Sequence, residues 1–369
     1  MGDNEHSPTS RAQATIAASA QSSDSKGAFA RATTPLATYG ASALPPHLRK
    51  WVATCLLDGY SAARIAPKLA EYLPDPEGAL HEVQEIERDP VFAAATAVHQ
   101  RRNKLASLLD ALARQLRLSR VAEGVPVEVG ISPERFYADY YFANRPVVVR
   151  GLMDRWPALR SWTPELFAQR FPDNIVEVSD DRESDPRYED RFTQHRREMT
   201  MTELVRRIRS NAGNNLYLVA KNRLLDRPEF AELRGDFAYP EGFLDPALIT
   251  RQPSLWLGGQ GTMTPLHHDA SNIFFGQVYG RKRVWLIPPY EIEHIYNDRT
   301  CFSAIDIEAP DFAAFPLLHK VLILEVVVEP GDFLLFPLGW WHAVRSLDVS
   351  ISLSFQNFAT PGGPVVWRS

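Results

Sequence analysis

His267, His268 and Asp269 lie in the stretch TMTPLHHDASNIFFGQVYGRKRVWLIPP, residues 262–289, and their types and spacing could do chemistry. On an extended strand alternate side chains share a face, so His267 and Asp269 project together and His268 projects away. An imidazole nitrogen and a carboxylate oxygen placed in this way can both reach one metal ion. A second imidazole is then needed from elsewhere. The candidate is His342, in EPGDFLLFPLGWWHAVRSLDVSISLSF. Two His and one carboxylate on one face of an octahedron leave three positions open, an arrangement suited to non-haem Fe(II) and oxygen. The chain has ten His, so a bare His-x-Asp arises easily by chance and its surroundings must carry the argument.

The surroundings include Tyr279-Gly280-Arg281-Lys282-Arg283. If Gly280 breaks one strand and another follows, Lys282, Val284 and Leu286 share a face. A Lys among inward apolar side chains is costly unless it meets an anion. A dicarboxylate co-substrate would supply one. The alternative is a solvated basic turn shared with Arg281 and Arg283.

The ordered series Thr264-Pro265-Leu266-His267-His268-Asp269, Gly280-Arg281-Lys282, Ile287-Pro288-Pro289, Gly331-Asp332 and Gly339-Trp340-Trp341-His342 resembles the JmjC family. Within it, the chain is most similar to the cupin-like hydroxylases related to the asparaginyl hydroxylase "factor inhibiting HIF". The resemblance runs from about Ile131 to Phe358. It implies a mainly β fold with α, a double-stranded β-helix (jelly-roll or cupin) core, and dependence on Fe(II), 2-oxoglutarate and O2. Carried over by position, His267, Asp269 and His342 would hold iron. Lys282 would pair with the distal carboxylate of 2-oxoglutarate, Thr264 would hydrogen-bond the same end, and Tyr217 matches a co-substrate-binding Tyr. Asn272 falls one residue from a family Asn behind the iron. Ser354 stands where the family has an Asn on the last core strand, a departure from the pattern.

The activity this implies is hydroxylation of an amino-acid side chain in a protein or peptide, with demethylation as a variant. An alternative is hydroxylation of a small molecule or a carrier-bound amino acid. From other classes come a non-catalytic cupin-fold binding module and a non-oxidative cupin enzyme such as an isomerase. No ligand of the triad is missing, which argues against the module. Thr264 and Lys282 suit a dicarboxylate, which argues against the isomerase.

The elements that must position these residues are expected in a catalytic domain at 120–369. Ser132-Pro133-Glu134 starts a short helix. Strands are expected at Val147–Arg150, Asn174–Ser179, Asn214–Ala220 (carrying Tyr217), Ser254–Gly259 and Leu322–Val328. Thr200 caps a helix to about Ile208. Asp180–Arg197 is dense in charge with no apolar stripe and reads as an exposed loop. Tyr290–Phe315 reads as an insertion able to carry substrate contacts. Trp340 and Trp341 are expected as packing aromatics at the barrel mouth.

Before this domain, 45–119 reads as a helical region serving as a cap, a dimerisation element or a docking module. Trp51, Val52, Cys55 and Leu56 recur at helical spacing. Ser61 is a candidate N-cap before Ile65, Leu69 and Leu73. Asp75-Pro76-Glu77 opens a helix with Leu80, Val83 and Ile86. A long helix from Asp89-Pro90 toward Leu118 carries the stripe Leu105, Leu108, Leu109, Leu112 and Leu116. Residues 1–44, rich in Ser, Ala, Thr and Gly, read as a disordered arm.

The net charge of −5 gives no reason to expect nucleic acid or an anionic membrane. Two Cys in 369 residues exclude a disulfide framework and a four-cysteine zinc site, and fit a cytoplasmic location. A protein or peptide substrate and a homodimer are the expected partners. No apolar run is long enough for a membrane span.

Overall fold

A computed structural model of the chain describes residues 44–369, apart from 211, 298, 299, 362, 364, 368 and 369. All of the expected disordered arm except Leu44 therefore lies outside the described residues. The chain divides into two compact units, Met1–Gln100 and Arg101–Ser369.

The first unit is helical. Pro46–Leu57 (α1), Ala62–Ala70 (α2) and Ala79–Arg88 (α3) enclose Val52, Ile65, Leu69, Val83 and Ile86. Three local expectations are corrected here. Ser61 precedes α2, but its side chain makes no capping hydrogen bond. Asp75 caps a single 3-10 turn by accepting from the Glu77 amide. Leu80 is exposed and Ala79 takes the buried position, because the inward face of α3 runs through 79, 83 and 86 at i, i+4 and i+7. The long helix Pro90–Arg117 (α4) is present, but its leucine stripe is not a core: Leu105 and Leu108 are each 55% exposed. The division at Gln100 falls inside α4, before the boundary expected at 119. Its cause is that residues after 100 pack within the second unit. Arg102 and Arg117 pair with Glu293 and Glu291, and Ala113 is buried.

Among the described residues the second unit holds thirteen strands. They are Val127–Val129 (β1), Val147–Arg150 (β2), Ile175–Asp180 (β3), Arg196–Thr200 (β4), Leu216–Leu218 (β5), Ser254–Gly258 (β6) and Met263–His268 (β7). Ile273–Tyr279 (β8), Lys282–Ile287 (β9), Leu324–Val328 (β10), Phe333–Phe336 (β11), Trp341–Ser346 (β12) and Ser350–Phe355 (β13) follow. A nine-stranded sheet runs β1-β2-β11-β8-β13-β6-β5-β3-β4, and a four-stranded sheet runs β10-β9-β12-β7. All neighbours are antiparallel except β1 and β2. This is the expected mainly β architecture with a jelly-roll core and an N-terminal helical region.

Period-two alternation explains the layers. Ile273, Phe275, Leu334 and Phe336 of the large sheet meet Val284, Leu286 and Val344 of the small one. Between them in sequence, Phe274, Phe333 and Leu335 face the other way, onto a cluster with Phe136, Trp156 and Phe230. On the outer face of the small sheet, Trp285, Ile287 and Trp341 are covered by Ile295, Ile305 and Ile307 of the 290–315 insertion. Thr200 caps the helix Met201–Ser210, accepting from the Glu203 amide at 3.2 Å.

The segment 180–197 is largely exposed, as expected, but Arg182, Tyr188 and His195 within it are buried. Arg182 within it is fully buried, pairs with Glu189 at 3.1 Å and stacks over Tyr188 at 4.2 Å. Arg182 Nη2 and the Tyr188 hydroxyl both donate to the Met263 carbonyl, at 2.6 and 3.1 Å. Most of the charge here is in ion pairs with exposed arginines, such as Arg187–Asp190 and Arg191–Asp185, while the internal Arg182–Glu189 pair ties the segment to the start of β7.

Candidate metal centre and co-substrate cavity

His267 and His342 are cross-strand partners in the β7–β12 ladder. Residues directly opposite on antiparallel strands point to the same side, and the two ring centroids are 4.2 Å apart. His267 Nδ1 lies 2.8 Å from the Pro265 carbonyl, and His342 Nδ1 lies 3.0 Å from the Trp340 carbonyl. A carbonyl can only accept, so each ring donates through Nδ1 and turns its Nε2 toward the other. In both, the orienting carbonyl sits two residues earlier. Asp269, one residue past the end of β7, places Oδ2 3.5 Å from His342 Nε2. One donor atom from each of the three side chains lies within 4.8 Å of the others.

The electrostatics leave these groups ready to ligate. Burial, and then His342, pushes His267 down to about 4, so its imidazole is neutral. Burial opposes ionisation of Asp269, but the His342 hydrogen bond and the neighbouring imidazoles outweigh it and hold the carboxyl below its usual range. Phe336 stacks on His342 at 4.3 Å and fixes the ring plane. His268 projects to the opposite face, as strand alternation requires, and meets Trp341 edge-on at 4.7 Å. Two imidazoles that turn Nε2 toward one point and one carboxylate beside them fit a divalent iron with open positions.

The three ligands line a cavity of about 1130 Å³, together with Thr264, Lys282 and Tyr217. Lys282 is fully buried and donates to the Tyr217 hydroxyl at 2.9 Å. Its Nζ lies 5.4 and 5.3 Å from the centroids of the Tyr217 and Phe275 rings. Among the described residues its ammonium makes no ion pair with a carboxylate. Burial alone pushes it down to about 7. A buried cation facing a cavity without an acid beside it fits a co-substrate carboxylate. The basic-turn alternative for Lys282 is therefore corrected: Arg281 and Arg283 take the outer positions, pairing with Asp348 and Glu325.

Asn272 does not line the cavity. It is buried, and its Oδ1 accepts from the Leu338 amide at 2.8 Å, fixing the turn that leads into Trp340-Trp341-His342. Ser354 does line it, and accepts from Trp256 Nε1 at 3.1 Å. Trp340 and Trp341 are packing aromatics, 2% and 0% exposed. Arg182, Gly258 and Trp367 support the site but follow from no motif. The signals were a charged residue inside a charge run, a Gly in a strand and an aromatic in a tail. The insertion reaches the cavity through Cys301 and Phe302. The far rim carries Lys221, Arg251 and Gln252.

The cupin-like domain family matches residues 133–359. The chain is 31% identical over 232 residues to lysine-specific demethylase 8 of Xenopus tropicalis, covering 61% of this chain and 50% of that protein. It is 31% identical over 237 residues to lysine-specific demethylase JMJ30 of Arabidopsis thaliana, covering 61% and 53%. It is 27% identical over 244 residues to tRNA wybutosine-synthesizing protein 5 of Gallus gallus, covering 62% and 76%. The chain spans about half the length of the demethylases it matches.

Proposed function

This chain belongs to the cupin-like JmjC family, and we propose that it is an Fe(II)- and 2-oxoglutarate-dependent dioxygenase that hydroxylates an amino-acid side chain in a protein or peptide. Resemblance to the JmjC family implies an oxygenase that uses Fe(II) and 2-oxoglutarate. The observation that carries the reading is one cavity holding both the His267–Asp269–His342 cluster and the acid-free ammonium of Lys282.

When bound, the iron, 2-oxoglutarate and O2 supply decarboxylation of the co-substrate coupled to transfer of oxygen into a C–H bond. The chain's residues do the rest. His267, Asp269 and His342 would hold the metal. Lys282, with Thr264 and the Tyr217 hydroxyl, would grip the distal carboxylate. In that pairing Lys282 Nζ would keep its proton, against the burial that otherwise removes it. Burial holds Tyr217 well above its ordinary value, so it stays a neutral hydroxyl that can donate. Apolar walls at Phe275, Phe336 and Trp256 keep water from the reacting atoms.

The test is anaerobic titration of the Fe(II)-loaded chain with 2-oxoglutarate, following the weak visible metal-to-ligand band, alongside Lys282→Ala. A band that depends on Lys282 supports the reading. Iron binding without a band removes it. Peptides are then screened for succinate release, with formaldehyde release marking demethylation of a methylated side chain.

The helical region is proposed as a self-association element. Val91, Val98 and Leu105 recur every seventh residue on α4 and are 77%, 70% and 55% exposed, a spacing that suits pairing with another helix. Sedimentation of the full chain beside a Val98→Glu/Leu105→Glu variant tests it. A cytoplasmic location belongs to the same reading. It rests on the two unpaired thiols, Cys55 and Cys301. Among the described residues no helix is long and apolar enough to cross a membrane.

A further inference from the structure

Asp269 is the least supported of the three ligands. The β7–β12 ladder ends at the pair His268–Trp341, so Asp269 lies beyond the last strand hydrogen bonds. Its side chain is 40% exposed, and its recorded side-chain partner is His342. Its direction is therefore set by the backbone around it.

That backbone is held from outside the sheet on two sides: the His268 amide donates to the Cys301 carbonyl at 3.1 Å, and the segment 366–367 takes the residues that flank Asp269. The Trp367 indole stacks on the His268 ring, with centroids 4.4 Å apart and planes 27° apart. His268 is thereby gripped between Trp367 and Trp341, which meets it at 4.7 Å. The Trp367 amide donates to the Ala270 carbonyl at 2.6 Å. Val366 pairs with Ser271 in an antiparallel bridge. The residues immediately before and after Asp269 are thus both tied to Trp367. The same indole lies 4.0 Å from where a Cβ on Gly339 would stand, at the turn before His342.

Resting on the metal-site reading above, we propose that Trp367 is a positioning residue for Asp269, clamping positions 268 and 270 so that the carboxylate faces the two imidazoles. Residues that orient a metal ligand from outside the coordination sphere change metal affinity by about 10–100-fold when lost. The effect on the metal runs through Asp269, because His267 and His342 are already fixed by the ladder and by their own carbonyls, and the contact at Gly339 is van der Waals only.

The experiment is titration of the full chain with Co(II), followed by its visible absorption and by calorimetry, with melting of each variant measured in parallel. Trp367→Ala is expected to weaken Co(II) binding by about 10–100-fold. Trp367→Phe, which keeps a flat face for His268, restores most of it. The decisive comparison is the double variant: on an Asp269→Ala background, Trp367→Ala causes no further loss, because the residue it orients is gone. Should Trp367→Ala fail to fold, Trp367→Leu, which keeps apolar bulk without the flat face, takes its place. Wild-type affinity in the Trp367 variants overturns the proposal, as does a loss that persists in the double variant. If wild type and His267→Ala bind Co(II) alike, the metal-site reading itself falls and the clamp with it. Loss in His267→Ala with none in Trp367→Ala overturns the clamp alone.

Discussion

Lys282 donates to the Tyr217 hydroxyl at 2.9 Å, and that bond joins the two sheets, since Lys282 opens β9 of the small sheet and Tyr217 sits in β5 of the large one. The ammonium end of Lys282 is set in an apolar wall, where charge is unfavourable until a carboxylate arrives. Its pKa falls from the ordinary 10.5 to about 7. Between those values the unfolded chain binds a proton that the folded chain does not, so stability rises with pH across that window. The penalty is fully present below about 7. Lys282→Met is therefore expected to raise the urea midpoint at pH 6, with the gain shrinking toward pH 10, and to abolish 2-oxoglutarate binding. Denaturation at three pH values checks the first expectation and calorimetry the second.

Gly258 is the point where the backbone makes room for Tyr217. A Cβ there would stand 2.7 Å from Tyr217 Cδ2 and 2.8 Å from Thr262 Oγ1. Gly258→Ala is expected to destabilise by about 1–3 kcal/mol through overpacking and to weaken 2-oxoglutarate more than metal, because Tyr217 must move and the ladder need not. Parallel Co(II) and 2-oxoglutarate titrations separate the two.

His267 and His268 differ only in the face they take. His267→Ala is expected to lose metal. His268→Ala keeps it, though more weakly because the Trp367 stack goes with the imidazole. Equal loss in both would show that the strand register around His267 is wrong. Metal content after gel filtration is the measurement.

Arg182 and Glu189 form a buried pair, and Arg182 leaves Nε and Nη1 without partners. Removing one side of such a pair strands the other charge, at a cost of about 3–5 kcal/mol. Arg182→Ala should therefore lower the urea midpoint far more than a typical Arg-to-Ala change on the surface, such as Arg206→Ala, whose ion pair with Glu203 is exposed.

Much of the site could be read from the chain because strand alternation is a strict rule. Once His267 and Asp269 share a face, His268 must leave it, and Lys282, Val284 and Leu286 must follow one another inward. The residues that escaped this reading are those whose role depends on distant partners. Arg182 looked solvated because its neighbours are charged, yet Tyr188, Tyr217 and Met263 enclose it. Asn272 looked like a cavity residue by position, yet its amide oxygen is spent on Leu338. The leucines of α4 looked like a core stripe, because periodicity marks a face without showing what covers it. Trp367 had no periodic context at all.

The pairing of His267 with His342 joins strands that lie far apart along the chain, with β8, β9, the insertion, β10 and β11 between them. Such a contact closes only after long loops have been brought together, which places it late in folding. A partly assembled chain then offers an ion isolated imidazoles and no facial set. Metal that binds the finished fold and not its precursors draws the population toward completion by mass action. On the iron reading proposed above, growth medium poor in iron is expected to lower the yield of folded chain.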